Sequence, residues 1–102
     1  MSRRDSTYTV DAQQVQGNPG ATVTFRGITI GERREYLDHE DVNDITMLRS
    51  HIVAWSGIVD DDGNELPNPT DEPGVIDALY LDEMRALTRL LWAGPNGESP
   101  KN

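Results

Sequence analysis

Residues 41–57 constrain the fold most, because their apolar side chains recur with the period of a helix. On a helical wheel, six apolar residues share one broad face: Val42, Ile45, Leu48, Ile52, Val53 and Trp55. Asp41 can act as the N-cap, and Gly57 follows the last periodic residue, where a left-handed residue commonly ends a helix. The pattern therefore predicts one long helix that places Trp55 at the edge of the core.

This segment also contains two basic side chains, Arg49 and His51. Arg49 falls within the apolar stripe, where it either forms a buried or interfacial ion pair or lays its stem on the core with its guanidinium in water. His51 lies on the polar side, and His39 is the only other histidine of the chain. Because there is also no cysteine to complete a metal site, we expect His51 to be a solvated or hydrogen-bonded surface residue.

Length and composition indicate one small domain. The chain has 102 residues, of which 35% are hydrophobic, and this suffices for a modest core but not for two domains. No apolar run approaches the roughly 18 residues of a membrane span, and no basic-then-apolar leader is present. Without cysteine, disulfides and thiolate chemistry are excluded. We therefore expect a cytoplasmic protein that does not bind a membrane.

The charge is acidic and unevenly distributed. Eighteen acidic against nine basic residues give a net charge of −9, which argues against nucleic acid as a direct partner. No lysine or arginine lies between residues 50 and 84, whereas nine acids do: Asp60, Asp61, Asp62, Glu65, Asp71, Glu72, Asp77, Asp82 and Glu83. This segment either receives a basic or amphipathic partner or simply keeps a small protein soluble.

The N-terminal part predicts a strand or hairpin. Residues 1–20 are polar and are expected to form a flexible segment, unless residues 7–10 pair with the next strand. Residues 21–26 alternate between polar and apolar side chains, with Val23 and Phe25 on one face.

A short helix over residues 28–37 is predicted next. Thr29 and Glu32 have the spacing of a capping box, in which each side chain accepts a hydrogen bond from the other residue's backbone N–H.

The acidic segment after Gly57 contains Asp-Gly and Asn-Pro pairs and predicts turns rather than a helix. An EF-hand calcium loop aligned on Gly63 would need carboxylates where Ile58 and Pro69 stand, so we expect no calcium site.

Two further helical segments follow this loop. The first has Pro73 in its first turn and Thr70 or Asp71 as its cap, and the second spans residues 83–93 with Asp82 as its cap. Residues 94–102 are expected to be disordered.

These segments together predict an α+β fold that is mostly helical. A strand or hairpin packs on three to four short helices in one domain over residues 21–93. Catalytic motifs are missing: there is no G-x-S-x-G, no glycine-rich phosphate loop, no H-E-x-x-H and no histidine pair at metal spacing. The carboxylate pairs come without an evident desolvating pocket. We expect a protein that is not an enzyme and that uses no cofactor or metal.

Four local patterns follow one another along the chain in an order that is typical of a known family. They are G-I-T-I-G-E-R opening the first helix, I-V-A-W-S-G, the acidic turn D-D-D-G-N-E-L-P, and I-D-A-L-Y-L-D-E-M-R-A-L. In these patterns, over residues 22–92, the chain resembles the small tail assembly chaperones of long-tailed bacteriophages and prophages. The marks of the resemblance are a tryptophan closing a helix, an acidic Asp-Gly turn followed by proline, and a paired C-terminal helix.

The resemblance implies a role without catalysis. Such chaperones keep the long tape measure protein soluble until tail tube subunits polymerise around it, so the implied partners are a tape measure protein and a tail tube protein. Trp55 and Trp92 would then be contact anchors or core residues, and Asp60, Asp61 and Asp62 would line the rim of the binding surface. With Arg49, these are the candidate partner-binding residues.

The last two residues of the sequence, Lys101 and Asn102, are also consistent with the resemblance. Many members are made in two lengths by a ribosomal frameshift, and Lys101, the only lysine, precedes Asn102 in a pair that an A-rich slippery heptamer can encode.

Two other functions remain open from the sequence. One is a structural virion protein, such as a head-tail connector or tail-completion subunit; the other is a small acidic adaptor or antitoxin that neutralises a basic partner. Gene neighbours distinguish the three functions, and the sequence leaves open whether the chain forms a homo-oligomer.

Overall fold

The computed structural model describes residues 7–38 and 44–94 as a three-stranded sheet with five helical segments. In chain order these are β1 (Thr7–Asp11), α1 (Gln13–Gln16), β2 (Thr22–Arg26), α2 (Ile30–Asp38), α3 (Asp44–His51), β3 (Ile52–Ser56), a 3-10 helix (Pro73–Ala78) and α4 (Leu81–Ala93). The sheet is antiparallel with strand order β1-β2-β3, and one core unites the buried residues of strands and helices. The predicted α+β class is confirmed.

The predicted hairpin is confirmed and is longer than expected. β1 pairs with β2 in a register that places Tyr8 opposite Phe25 and Val10 opposite Val23. Val15 of α1, which lies in the connection between the two strands, is buried in the same core. Residues 7–20 therefore belong to the globular domain, and the predicted domain start at residue 21 is wrong.

The predicted long helix is wrong in its second half. α3 ends at His51, and residues 52–56 form β3, which pairs with β2. Ile52 faces Phe25 and Trp55 faces Val23, with a bulge between these two pairs. In a regular strand, residues three apart point to opposite faces, but the bulge returns both side chains to the core face. The bulged strand thus imitates the spacing of a helix, although its β-branched and aromatic residues favour a strand.

Gly57 ends β3 rather than a helix. Its φ is +80°, and a Cβ at this position would lie 3.0 Å from Cα of Ala21. Both the left-handed backbone and the close approach of another chain segment require glycine here.

The capping box is confirmed at the start of α2. The Thr29 N–H donates to the Glu32 carboxylate at 2.9 Å, and the Glu32 N–H donates to the Thr29 hydroxyl at 3.1 Å.

The caps predicted for the later helices are wrong. No side chain caps the 3-10 helix, and the Thr70 hydroxyl donates instead to the Val53 carbonyl at 3.1 Å. α4 begins at Leu81, earlier than predicted, and its first residues are held by the Glu83 carboxylate, which accepts from the Tyr80 N–H at 2.8 Å.

Several expectations lie outside the described residues, namely the Asp41 cap, residues 1–6 and all of the predicted C-terminal tail except Gly94. No helix of the described segments is long and apolar enough to cross a membrane.

Candidate functional site

A groove of about 660 Å³ opens where α1, the turn after β3, the end of the 3-10 helix and the start of α4 meet. Five carboxylates line this acidic groove, and its lining contains no lysine or arginine: Asp60, Asp61, Asp77, Asp82 and Glu83. The groove gathers acids that are up to 23 positions apart in the chain, from Asp60 to Glu83. The fold therefore brings five of the nine acids of the acidic segment to one concave surface.

Gln16 connects the elements that line the groove. Its carboxamide nitrogen donates to the Val59 carbonyl at 2.7 Å and to the Glu83 carboxylate at 2.9 Å, while its oxygen accepts from the Val59 N–H at 3.0 Å. One side chain thus ties α1 to the turn and to α4. Sequence reasoning missed Gln16, since a glutamine in a polar stretch carries no signal of a partner that lies 43 or 67 residues away.

Asp60 builds the turn at the rim of the groove. Its Oδ1 accepts from the backbone N–H groups of Asp62 and Asn64, each at 2.9 Å, and Val59 pairs with Glu65 across the turn. A short polar side chain that satisfies two backbone donors is typical of such turns. Of the three predicted rim residues, Asp60 is structural, Asp61 lines the groove, and Asp62 is exposed outside the lining.

Tyr80 and Leu81 add exposed apolar surface beside the carboxylates, with 57% and 58% of their surface accessible. The Tyr80 hydroxyl donates to the Asp61 carboxylate at 2.6 Å. This hydrogen bond, the Asp61 charge, slight desolvation and the Glu83 charge raise the pKa of Tyr80 above its usual value. Tyr80 is therefore a neutral donor that orients Asp61 at neutral pH.

Arg49 lies at the edge of the same groove. Its guanidinium forms an ion pair with Asp77 at 3.0 Å, and both side chains are exposed. Of the two interpretations offered for Arg49, the buried ion pair is excluded: the guanidinium remains in water while pairing with a groove carboxylate. Exposed pairs of this kind contribute little to stability, about 0–1 kcal/mol.

Trp55 is a core residue and is not available as a surface contact. Only 5% of it is exposed, and its indole N–H donates to the Leu66 carbonyl at 3.2 Å. The Asn68 side chain accepts from the Trp55 backbone N–H at 2.8 Å, so the loop after the acidic turn covers the outer edge of β3. Of the two roles predicted for Trp55, the structure supports the core role, and its place among the partner-binding residues is corrected.

Trp92 lies at the opposite end of α4 from the groove. It is 38% exposed, and the Arg33 guanidinium of α2 stacks 5.8 Å from its ring centroid. Since α4 runs about 18 Å from Leu81 to its last residue, Trp92 does not share a site with the acidic rim.

His51 is buried, contrary to the predicted surface position, with 1% of it exposed. Its Nδ1 lies 3.0 Å from the Arg26 carbonyl and its Nε2 lies 3.0 Å from the Tyr36 hydroxyl. Because a carbonyl oxygen only accepts, Nδ1 carries a proton and donates it to the Arg26 carbonyl. The histidine fastens α2 to the sheet and lies outside the groove.

Within residues 7–38 and 44–94, no group of three or more His, Cys, Asp or Glu side chains is arranged to hold a metal ion. Comparison of the chain with protein-family models, with curated proteins and with solved structures finds no match.

Proposed function

We propose that this protein is a non-catalytic tail assembly chaperone of a long-tailed bacteriophage, acting in the host cytoplasm. In this proposal its acidic groove receives a basic, amphipathic segment of a tape measure protein. The observation that carries the proposal is the groove itself: five carboxylates without a cation in the lining, beside two exposed apolar side chains. The identity of the partner rests on the resemblance of the sequence.

The five groove carboxylates differ in how many hydrogen bonds and ion pairs they already make within the protein. Glu83 already accepts from Gln16 and from the Tyr80 backbone, and Asp77 pairs with Arg49. Within the described segments, the Asp82 carboxylate makes no hydrogen bond or ion pair, and the Asp61 carboxylate accepts a side-chain hydrogen bond only from the Tyr80 hydroxyl. Asp61 and Asp82 are therefore the groups best placed to receive an arginine or lysine of a partner.

Tyr80 and Leu81 supply the apolar part of the contact. Charge accelerates and orients encounter, whereas desolvated aromatic and aliphatic anchors carry most of the affinity in protein interfaces. A segment with a basic side chain one helical turn from an apolar one fits this combination.

The test is co-expression with the tape measure protein encoded near this chain, followed by fractionation and pull-down. We expect the tape measure protein to be insoluble alone and soluble and co-purifying with the wild-type chain. The double variant D61N/D82N should lose most of the co-purified partner. The matched control is D71N/E72Q, which removes the same charge from exposed acids outside the groove lining and should bind like the wild type.

Two outcomes would contradict the proposal. One is a tape measure protein that stays insoluble with the wild-type chain, and the other is equal binding by D61N/D82N and the wild type. Recovery of this chain from purified virions at a fixed number of copies would instead support a structural virion protein.

A further inference from the structure

The two outer edges of the sheet differ in what covers them. Along β3, the loop that follows satisfies the outward backbone groups. The Trp55 N–H donates to the Asn68 side chain at 2.8 Å, and the Val53 carbonyl accepts from the Thr70 hydroxyl at 3.1 Å. β1 is the other outer strand, and among the described residues no group hydrogen-bonds to the backbone on its outer side.

The register of β1 shows which of its backbone groups point towards β2. In an antiparallel pair, opposite residues alternate between those that exchange backbone hydrogen bonds and those that do not. Just beyond the end of the strand, the Ala12 N–H donates to the Ala21 carbonyl at 2.8 Å. Counting back by twos in this register, Val10 and Tyr8 also direct their N–H and C=O groups towards β2.

The residues between them direct their backbone groups away from the sheet. These are Thr7, Thr9 and Asp11, all with exposed side chains. The hydroxyls of Thr9 and Thr24 lie 2.8 Å apart, as expected for an opposite pair without backbone hydrogen bonds, in which the side chains come closer. The outer edge of β1 is therefore a row of backbone donors and acceptors.

This edge lacks the features that usually prevent strand addition. Proteins protect an outer strand with lysine, proline or a bulge, or by covering it. β1 contains no lysine, arginine or proline, and its pairing with β2 is regular, whereas the pairing of β2 with β3 contains a bulge. Its one charged residue, Asp11, stands at the end of the strand.

We infer that the outer edge of β1 binds an extended segment of another protein, which joins the sheet as a further strand. In such strand addition, main-chain hydrogen bonds provide affinity and alternate side chains provide specificity. On the core face, the segment would lie beside Tyr8 and Val10, which pack in the core. On the solvent face, it would lie beside Thr7, Thr9 and Asp11.

These neighbours define the chemistry of the segment. It alternates apolar residues, for the core face, with threonine or similar β-branched polar residues, for the solvent face. Because this chain carries a net charge of −9, a segment with net positive charge is favoured and a second copy of the chain is disfavoured. No residue of β1 lines the acidic groove, so the inference does not rest on the proposed function.

The probe for the test is a peptide with the sequence of residues 21–26, blocked at both ends. It alternates threonine with valine and phenylalanine, carries one arginine, and copies the strand that β1 already pairs with on its inner edge. The peptide is titrated into the wild-type chain while backbone amides are followed by NMR. We expect the largest shifts at Thr7, Thr9 and Asp11, together with slower exchange of their amide hydrogens.

Two N-methylated forms of the peptide are matched controls. Opposite residues share a face of the sheet, so the peptide threonines on the solvent face direct their N–H groups at β1. Methyl groups on the two threonine nitrogens should abolish binding. Methyl groups on the valine and phenylalanine nitrogens point away from β1 and should leave binding intact. Equal binding of the two forms, or the reverse order, would overturn the inference.

A substitution in β1 tests the same contact from the side of the protein. Thr9→Pro removes an outward N–H while every hydrogen bond to β2 keeps its donor, and proline is tolerated where the N–H of an edge strand faces solvent. Thr9→Ala is the control, because it removes the same bond to Thr24 but keeps the N–H. Thr9→Pro should weaken peptide binding about tenfold, and Thr9→Ala should change it little. Circular dichroism checks folding, and the methylated peptides remain decisive if Thr9→Pro does not fold.

Amide exchange without peptide identifies other occupants of the edge. In the free protein, the amide of Thr9 should exchange faster than those of Tyr8 and Val10. Protection of Thr9 in dilute protein would mean that another part of this chain covers the edge, and protection that rises with concentration would mean that a second copy does. Either result would overturn the inference, as would unchanged β1 amides in a large excess of peptide.

Discussion

The two sides of the acidic segment differ in whether their large side chains are buried or exposed. On one side, the loop after Leu66 covers β3 and Trp55 is buried. The indole N–H and the backbone N–H of Trp55 are both hydrogen-bonded. On the other side, the groove leaves Tyr80 and Leu81 exposed among carboxylates. We call these the sealed side and the open groove. The difference shows that a large aromatic residue marks a binding surface only where the chain leaves it uncovered, and substitutions should therefore affect stability on the sealed side and binding at the groove.

The largest expected effect is that of Trp55→Ala on the sealed side. Removing a buried tryptophan leaves a cavity and an unpaired Leu66 carbonyl, at a cost of about 3–5 kcal/mol in the free energy of unfolding. Trp92→Ala is the matched control, since its ring is 38% exposed, and it should cost about 1 kcal/mol. Urea denaturation monitored by circular dichroism measures both, and equal losses would contradict the distinction between the two tryptophans.

A smaller effect is expected for Gly57→Ala at the end of β3. The left-handed φ alone costs about 1 kcal/mol for a residue with a Cβ, and contact with the Ala21 backbone should bring the total to about 2–3 kcal/mol. Gly20→Ala isolates the first term, because Gly20 also has a positive φ of +85° but nothing lies within 4 Å of the added Cβ. If both variants lost the same stability in thermal unfolding, the close approach of Ala21 would carry no cost.

The two partly buried tyrosines, Tyr8 and Tyr36, should make the stability depend on pH above about 10. Burial raises the pKa of Tyr8, and burial with the charges of Glu32 and Glu35 raises the pKa of Tyr36, above the ordinary value of 10.0. The folded state then holds these protons more tightly than the unfolded state. The corresponding stability is present below pH 10 and is lost as the pH rises through the raised pKa values.

Denaturation midpoints measured from pH 8 upward check this expectation. Tyr8→Phe keeps the ring beside Phe25 and should flatten the loss of stability above about pH 10. Tyr80→Phe at the groove should reduce partner binding, because Asp61 loses the hydroxyl that orients it, with little change in stability at neutral pH. A Tyr8→Phe variant with the wild-type alkaline profile would rule out Tyr8 as a source of the loss.

The smallest expected effect is that of Arg49→Ala at the edge of the groove. Its ion pair with Asp77 is exposed, so the free energy of unfolding should change by about 0–1 kcal/mol. Releasing Asp77 adds a free carboxylate to the groove, and binding of a basic segment should be unchanged or tighter in a titration followed by tyrosine fluorescence. Weaker binding would instead mean that Arg49 itself contacts the partner.

Local patterns were sufficient to predict the elements whose signal lies in residues close together in the sequence. The alternation of Val23 and Phe25 predicted β2, the Thr29–Glu32 spacing predicted the start of α2, and the apolar stripe through Leu87 and Leu91 predicted α4. In each case residues a few positions apart carry the pattern that predicts the element. Such patterns are contained within a short window of sequence.

The second half of the predicted central helix failed for the opposite reason. Ile52 and Trp55 have the spacing of a helix, and only their pairing with Phe25 and Val23 through a bulge reveals a strand. His51 was misplaced likewise, since its partners, Arg26 and Tyr36, lie 25 and 15 residues away. A single-sequence pattern does not contain these distant partners.

What the sequence alone determined is the class of the fold and the composition of its surface: a small α+β domain, an acidic segment without cations, and no cysteine for thiolate chemistry. The tertiary structure alone decided where that chemistry is used. It buried Trp55, left Tyr80 and Leu81 exposed, and joined α1, the turn and α4 through Gln16 into one acidic groove. The reason is that composition and periodicity depend on neighbouring residues, whereas exposure and concavity depend on which distant segments come to lie against each other.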